Sequence, residues 1–288
     1  MGGSEAGDMR IQRVINNNVI SAIDEYGSEI VVMGKGIGFQ RRPGQEIAET
    51  GKEKIFRLES PDILERFKEL LASMPLVCIQ VSDEIISHAR KVLTPQLSQS
   101  VYLTLTDHID FALTRFREGM LFENGLYEEI KRFYPEEFQV GRHALDLIEE
   151  KTGVRLPEDE AASIAFHLVN AEFGIKMKDT QMMTEMIRRL MEMANAACPL
   201  QEDSLYTDRL VTNLKFILIR LLLHAPAKLS CDGAFNGFVR EYCGEEYELA
   251  GKMKEYIESV SGCEMTEDEL IYLTIQLRYA TRIDAETP

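Results

Sequence analysis

The first part of the chain carries short apolar, β-branched runs separated by turn residues. Two runs, Val19 to Ile23 and Ile30 to Met33, flank the turn residues 25–28, which predicts a β-hairpin. The run Lys54 to Leu58 predicts an added edge strand. Because the two central runs are apolar at consecutive positions, both faces of this small sheet need cover, and a second copy of the chain is the simplest cover. The pattern therefore predicts a dimer.

After Leu58 the pattern changes to helical periodicity. The pair Ser60-Pro61 predicts a capped helix start, and Ser82 and Leu156-Pro157 predict further starts. Residues Thr266 to Glu269 fit a capping box, in which the Glu269 carboxylate reaches back to the amide of the cap residue. The remainder of the chain is therefore predicted to be all-α.

The helical part is duplicated. Residues 136–171 pair with residues 245–280 at an offset of 109, and ten of the 36 positions are identical, including the triplet Glu158–Glu160. Earlier in each copy, residues 107–111 align with residues 212–216 at an offset of 105. Two homologous helical bundles are therefore predicted to follow the β module.

These patterns divide the chain of 288 residues into four segments. Residues 1–8 lack periodicity and are interpreted as a disordered leader or an expression remnant. Residues 9–58 form the predicted small, antiparallel, all-β domain. Residues 59–175 and 176–288 form the two helical domains, each of ordinary domain size.

Charge distinguishes the β module from the helical part. Residues 9–58 carry eight Lys/Arg against six Asp/Glu, a balance of +2, whereas residues 59–288 carry 24 against 40, a balance of −16. Only the β module therefore suits a polyanionic partner. The five cysteines are odd in number and form no C-x-x-C pair, which argues against a disulfide framework, a zinc module or any other bound metal. No signal peptide or membrane-spanning run is evident, so we expect a cytoplasmic protein without membrane insertion.

The β module contains residue types that bind unpaired RNA. Amides at positions 16–18 suit base edges and phosphates, and Gly34 and Gly36 allow close backbone approach. Phe39 offers a ring for stacking on a base, and Arg13 and Lys35 offer positive charge. An alternative on physical grounds is that the Asn and Gly residues mark turns and Phe39 belongs to the core.

The run VINNNVISAID, the later run VVMGKGIGFQ and the two helical repeats resemble BglG/SacY-type transcription antiterminators, from Met9 to the C-terminal end. The resemblance implies a co-antiterminator RNA-binding domain and two regulation domains controlled by the sugar phosphotransferase system (PTS). It also implies a homodimer that binds a hairpin in nascent mRNA and prevents terminator formation. The RNA-contacting residues expected from the sequence and the resemblance are Arg13, Asn16, Asn17, Asn18, Gly34, Lys35, Gly36, Phe39 and Gln40.

Two histidines of the first helical domain are candidate phosphorylation sites. His108 and His167 each lie on an apolar stripe, where a histidine is most often a packing residue. The resemblance instead implies that both are phosphoacceptors, supplied by a sugar-specific PTS enzyme II. A neutral imidazole is a competent nucleophile, and the adjacent Asp107 is the candidate for fixing its tautomer.

The second helical domain departs from the family pattern. The positions equivalent to the two acceptor histidines hold Asn213 and Gln276, whose amides do not accept a phosphoryl group by the same chemistry. Activation by the phosphocarrier HPr, a further candidate partner, is therefore expected to be lost. The domain is either a structural dimerisation unit or is held in an active-like packing, and both readings stay open.

Other functional classes explain less of the sequence. A histidine phosphocarrier of the PTS would use His108 and His167 but leaves the β module without a role. A DNA-binding activator would need a helix-turn-helix before Leu58, where the pattern is β. We therefore expect a regulatory protein with no enzymatic activity, no cofactor and no DNA partner.

Overall fold

The computed structural model describes residues 9–47, 54–58, 60–94, 96–120, 122–200, 204–227 and 232–282. The predicted leader, residues 1–8, lies outside the described residues. The strands are β1 (Arg10–Asn16), β2 (Val19–Ile23), β3 (Glu29–Met33) and β4 (Lys54–Phe56). The helices are α1 (Pro61–Ser73), α2 (Leu76–Val92), α3 (Val101–Arg117), α4 (Tyr127–Phe133), α5 (Pro135–Thr152), α6 (Asp159–Phe173), α7 (Met177–Ala197), α8 (Leu205–Leu222), α9 (Gly233–Tyr242), α10 (Gly244–Ser261) and α11 (Glu267–Arg282). The predicted fold class, an antiparallel sheet followed by helical bundles, is confirmed.

The four strands form one antiparallel sheet in the order β1-β2-β3-β4. The predicted hairpin of β2 and β3 is confirmed, and its turn is held by Asp24, whose Oδ1 accepts hydrogen bonds from the amides of Tyr26 and Ser28 at 3.0 Å each. Strand β1 is an addition to the expected elements. It joins β2 through a two-residue turn, Asn17 and Asn18, so part of the triple asparagine is a hairpin turn.

One face of the sheet has its own apolar core. This core contains Met9, Ile11, Ile20, Ala22, Ile30 and Val32, all buried, with Val14, Ile37, Ile47 and Ile55 packed against them. The alternation of these positions along β2 and β3 follows the two-residue period of a strand. The residues between them, such as Val31, point to the opposite face.

The opposite face of the sheet is covered by helices of the same chain. The ring of Phe56 in β4 makes edge-to-face contacts with Phe67 of α1 at 5.2 Å and with Tyr102 of α3 at 5.3 Å. Lys68 of α1 is ion-paired with Glu29 of β3 at 2.7 Å. A second copy was the simplest cover expected from the sequence, but on this face α1 and α3 of the same chain supply the cover. Dimerisation itself stays a prediction.

The predicted helix starts are mostly confirmed. The Ser60 hydroxyl accepts a hydrogen bond from the amide of Ile63, and the Thr266 amide donates to Glu269 Oε2 at 2.9 Å while the Glu269 amide donates to Thr266 Oγ1 at 3.3 Å. The predicted start at Ser82 is wrong, since Ser82 lies inside α2 and its hydroxyl donates to the Cys78 carbonyl.

The described residues form two compact units. The first contains the sheet, the chain up to Gly125, and Glu136–Glu172; the second contains Leu126–Pro135 and the chain from Phe173 onward. In the second unit the fully buried Tyr134 lies under the Lys215 ammonium, 4.4 Å from the ring centre. The segment with α4 thus packs with the second helical repeat although it precedes the predicted boundary at residue 175 in sequence. Among the described helices, none is long and apolar enough to cross a membrane.

The close approach of α5 to α6 requires a glycine. A Cβ on Gly141 would lie 2.2 Å from the carbonyl oxygen of Ala161, a backbone atom with no freedom to retreat. We expect Gly141→Ala to destabilise the protein by about 1–3 kcal/mol, the cost of overpacking a core. Thermal unfolding followed by circular dichroism measures this as a lower melting temperature.

Gly251 in α10 is the matched control for this substitution. It also lies inside a helix, but an added Cβ would meet nothing within 4 Å. Gly251→Ala should therefore stabilise the protein by about 0.5–1 kcal/mol, the ordinary helix preference for alanine. Equal melting temperatures for the two variants would contradict the packing argument.

Candidate functional site

Asn16 lies at the end of β1, and both polar atoms of its side chain form hydrogen bonds within the protein. Its Nδ2 donates to the Leu71 carbonyl of α1 at 2.7 Å, and its Oδ1 accepts from the amide of Asn18 at 2.8 Å. The side chain thus supports the asparagine turn and connects it to α1. Asn17, at the tip of the same turn, is exposed.

The glycine-rich loop after β3 is attached to the same turn. Asn18 accepts hydrogen bonds from the amides of Gly36, through its Oδ1 at 2.9 Å, and of Gly34, through its carbonyl at 3.0 Å. Gly36 has φ of 70°, a conformation that favours glycine. A Cβ on Gly38 would lie 2.2 Å from the Asn16 carbonyl oxygen. The glycines therefore allow the loop to lie directly against the turn.

The remaining predicted RNA-binding residues are exposed to solvent, Arg13 on strand β1 and the others on this turn and loop. Phe39 is 59% exposed, so the alternative that it is a core residue is wrong. We define the exposed loop surface as Arg13, Asn17, Lys35, Phe39 and Gln40, all of which are exposed. It combines positive charge, amide groups and an accessible aromatic ring, which are the groups that bind unpaired bases and phosphates.

The structure brings together the two candidate acceptor histidines. His108 lies on α3 and His167 on α6, and the centres of their rings are 4.7 Å apart. His108 is largely buried, with 14% of its side chain exposed. Two residues far apart in sequence therefore form one histidine site in the first unit.

A buried ion pair adjoins the histidine site. Glu160, at the start of α6, places Oε2 at 3.1 Å from His108 Nε2, and its Oε1 accepts a hydrogen bond from Nη2 of Arg115 on α3. The Glu160 side chain is only 3% exposed. The Arg115 guanidinium also lies over the ring of Phe122, 4.3 Å from its centre. The carboxylate thus has one oxygen on the arginine and one on the histidine.

The electrostatics of the site favour a charged carboxylate and a neutral His167. Burial alone would raise the pKa of Glu160, but its hydrogen bond with His108 and the charges of His108 and Arg115 outweigh burial and lower that pKa. Burial, with a smaller contribution from the charge of His108, lowers the pKa of His167 to about 3. His167 is therefore neutral near pH 7, as a histidine nucleophile must be.

The carboxylate that contacts His108 was not among the residues expected from the sequence. Asp107 is exposed, and the structure places the carboxylate of Glu160 against the ring instead. A supporting role for Asp107 stays a prediction. The sequence did contain a signal for the ion pair, because Arg115 recurs as Arg220 at the 105-residue offset and Glu160 recurs as Glu269 at the 109-residue offset.

The second unit keeps the ion pair without the histidines. Asn213 lies on α8 and Gln276 on α11, both partly buried. Arg220 Nη2 lies 2.8 Å from Glu269 Oε2. That same oxygen accepts from the amide and the hydroxyl of Thr266, at 2.9 and 3.0 Å. The carboxylate of the second unit is therefore satisfied without an imidazole.

Two domain families match the chain. The CAT RNA binding domain matches residues 9–65, and the PRD domain matches residues 83–171 and again residues 181–280. The two PRD matches coincide with the two helical repeats identified from the sequence. Together the matches include the exposed loop surface and the histidine site.

Known antiterminators match almost the whole chain. The transcription antiterminator LicT of Bacillus subtilis (strain 168) is 42% identical over 93% of this chain and 98% of its own length. The beta-glucoside operon antiterminator of Dickeya chrysanthemi is 38% identical over 93% of this chain and 95% of its own length. The crystal structure of GlcT CAT-PRDI covers 58% of this chain and 99% of that chain, with 35% identity and a TM-score of 0.51. The chain therefore belongs to the BglG/SacY-type transcription antiterminators, which join a CAT RNA-binding domain to PRD domains.

Proposed function

We propose that this protein is a sugar-responsive antiterminator whose dimer binds an RNA hairpin in nascent mRNA and prevents terminator formation. In this proposal a sugar-specific PTS enzyme II phosphorylates His108 and His167 when its sugar is absent, and phosphorylation inhibits RNA binding. The protein acts in the cytoplasm, where its RNA is transcribed. The names of the relatives and the CAT match support the antiterminator role.

The exposed loop surface supports the RNA-binding part of the proposal. Phe39 presents its ring to solvent, and Asn18 and the glycines hold the loop that carries it. With a balance of only +2 in residues 9–58, one copy neutralises few phosphates. Binding therefore depends on two copies acting together, and loss of the dimer weakens it.

The histidine site supports the regulatory part of the proposal. The imidazoles of His108 and His167 lie side by side, and His167 is neutral near pH 7. A phosphoryl group adds about −1.5 to −2 charges at pH 7. Where the helical domains of two copies pack against each other across a two-fold axis, each copy places this charge near their shared interface. Repulsion between the two charges disfavours the dimer in which these domains are in contact.

The alternative function, a histidine phosphocarrier, does not fit the family. The curated relatives are named as antiterminators rather than as enzymes or phosphocarriers, and their similarity extends over the CAT domain. We infer that phosphate on His108 or His167 is a regulatory signal and is not passed on with turnover. The protein therefore has no enzymatic activity.

The first prediction concerns base stacking. Phe39→Ala should weaken RNA binding by roughly 1–3 kcal/mol, because stacking on an aromatic ring contributes about that much per base. The measurement is fluorescence anisotropy with a labelled hairpin that overlaps the terminator upstream of the neighbouring enzyme II gene.

Tyr26 provides the matched control for Phe39. It is 76% exposed in the turn between β2 and β3, outside the exposed loop surface, so Tyr26→Ala should leave the affinity unchanged. Equal affinities of the Phe39 and Tyr26 variants would argue against stacking by Phe39.

The second prediction concerns the acceptor site. His108→Asp places a permanent negative charge at the histidine site. Antitermination in the presence of the sugar, when the wild-type histidines are unphosphorylated in this proposal, should fall by roughly 5- to 150-fold, the range of an allosteric coupling of about 1–3 kcal/mol. A terminator-reporter assay measures this. His143→Asp, an exposed histidine on α5 of the same unit, is the control and should leave activity unchanged. Full activity of the His108 variant would exclude inhibition by charge at this site.

The third prediction concerns the second PRD domain. Because Asn213 and Gln276 replace the acceptor histidines, phosphorylation by enzyme I and HPr should leave residues 176–288 unlabelled. Mass spectrometry of the full chain after incubation with phosphoenolpyruvate, enzyme I and HPr tests this. Phosphate found on any peptide of this region would refute the loss of HPr activation.

A further inference from the structure

A different ring nitrogen is buried in each of the two histidines of the site. In His108 it is Nε2 that is buried, at 3.1 Å from Glu160 Oε2, although the geometry of this contact lies outside that of an ordinary hydrogen bond. In His167 it is Nδ1 that is buried, without a hydrogen-bond partner among the described residues. A phosphoryl group is tetrahedral and carries three oxygens, so it needs an accessible nitrogen.

We propose that His108 accepts its phosphoryl group on Nδ1 and His167 on Nε2, and that Glu160 is the residue that positions His108 for this reaction. The inference rests on the proposed phosphorylation of these histidines. Beyond that function, the inference identifies the ring nitrogen of each histidine that bonds to phosphorus. It also identifies the side chain that selects this nitrogen in His108.

Glu160 selects the tautomer of His108. Its carboxylate is ion-paired with Arg115 and therefore stays ionised, and an ionised carboxylate only accepts hydrogen bonds. When the ring of His108 is neutral, its proton therefore belongs on Nε2, the nitrogen that lies 3.1 Å from this carboxylate. This leaves the lone pair on Nδ1, at the opposite side of the ring from the buried carboxylate.

The transfer step needs no proton to leave the ring before attack. The Nδ1 lone pair of His108 forms the new N–P bond while the P–N or P–S bond of the donor breaks, and the bonding pair leaves with the donor's imidazole or thiolate. The proton stays on Nε2. The positive charge that develops on the ring is stabilised by the Glu160 carboxylate, as an aspartate stabilises the imidazolium in a catalytic triad.

Residue 157 explains why Glu160 has an oxygen free for the histidine. In the second unit, Thr266 donates two hydrogen bonds to Oε2 of Glu269. The equivalent position in the first unit is Pro157, which has neither an amide hydrogen nor a hydroxyl. Glu160 therefore makes no capping box with residue 157, and its Oε2 faces His108 instead.

The tautomer can be measured without any phosphorylation. In the full chain labelled with [15N]histidine, long-range 15N–1H correlation spectra distinguish a protonated from an unprotonated ring nitrogen. We expect the neutral ring of His108 to carry its proton on Nε2 and to have a bare Nδ1. A proton on Nδ1 of His108 would overturn the positioning role of Glu160, whatever the outcome for phosphorylation.

The same labelled protein then identifies the phosphorylated atoms. After incubation with phosphoenolpyruvate, enzyme I, HPr and the neighbouring enzyme II, we expect phosphate on Nδ1 of His108 and on Nε2 of His167. Phosphate on Nε2 of His108, or on Nδ1 of His167, would overturn the inference and leave the proposed function intact. Absence of phosphate from both residues would overturn the proposed function as well.

Two variants test the role of Glu160 directly. Glu160→Gln offers the ring an amide that can donate as well as accept, so the Nδ1 labelling rate of His108 should fall roughly ten-fold or more, since the analogous change beside a triad histidine costs far more than this. Glu269→Gln removes the same charge from the second unit, where Asn213 and Gln276 replace the acceptor histidines, and should leave that rate unchanged.

Pro157→Thr tests the same role while keeping the Arg115 ion pair. It gives Glu160 a capping partner, so the hold on His108 should weaken and the Nδ1 labelling rate of His108 should fall. A labelling rate and isomer unchanged in both the Glu160 and Pro157 variants would exclude a positioning role for Glu160.

Discussion

The buried carboxylate of Glu160 joins the helices on which the histidine site is built. It belongs to the first turn of α6 and pairs with Arg115 in the last turn of α3, with 3% of its side chain exposed. Removing one partner of such a pair typically costs about 3–5 kcal/mol, because the other charge stays buried without compensation. The crossing of α3 and α6 therefore depends on this ion pair. Nε2 of His108 lies 3.1 Å from the second oxygen of the same carboxylate, so the histidine site and the packing of the domain share one buried group.

Helix α3 also connects the histidine site to the sheet. Tyr102, in its first turn, packs on Phe56 of β4, and His108 lies less than two turns further along the same helix. At the opposite edge of the sheet, on β1, the side-chain amide of Asn16 donates to the Leu71 carbonyl of α1 and so connects the asparagine turn to that helix. The exposed loop surface is thus carried by elements that pack on the helices of the regulatory domain. A charge added at His108 acts on a helix that is itself part of the support of the sheet.

Local signals in the sequence were sufficient for much of the fold, whereas long-range contacts were not. The β2–β3 hairpin and the capping box at Thr266 depend on neighbouring residues, so their patterns predicted them. Strand β1 was not singled out because only Ile11 of its seven residues is buried, the other six being exposed or partly buried, which leaves no alternation to detect. Cover of the sheet by α1, and the contact between Glu160 and His108, join residues distant in sequence. Periodicity carries no information about such partners, and only the recurrence of Arg115 and Glu160 in the second repeat pointed to their importance.

The two repeats show why one could lose its histidine and the other retains it. In the second unit, Glu269 is satisfied by Arg220 and Thr266, so asparagine at position 213 leaves no buried carboxylate oxygen unpaired. In the first unit, proline at position 157 provides no such donor, and Glu160 Oε2 has His108 as its neighbour. This oxygen is buried and makes no hydrogen bond of ordinary geometry among the described residues, so the nearby imidazole supplies the polar group beside it. The cap residue three positions before the glutamate thus determines how many hydrogen bonds the carboxylate receives without an imidazole.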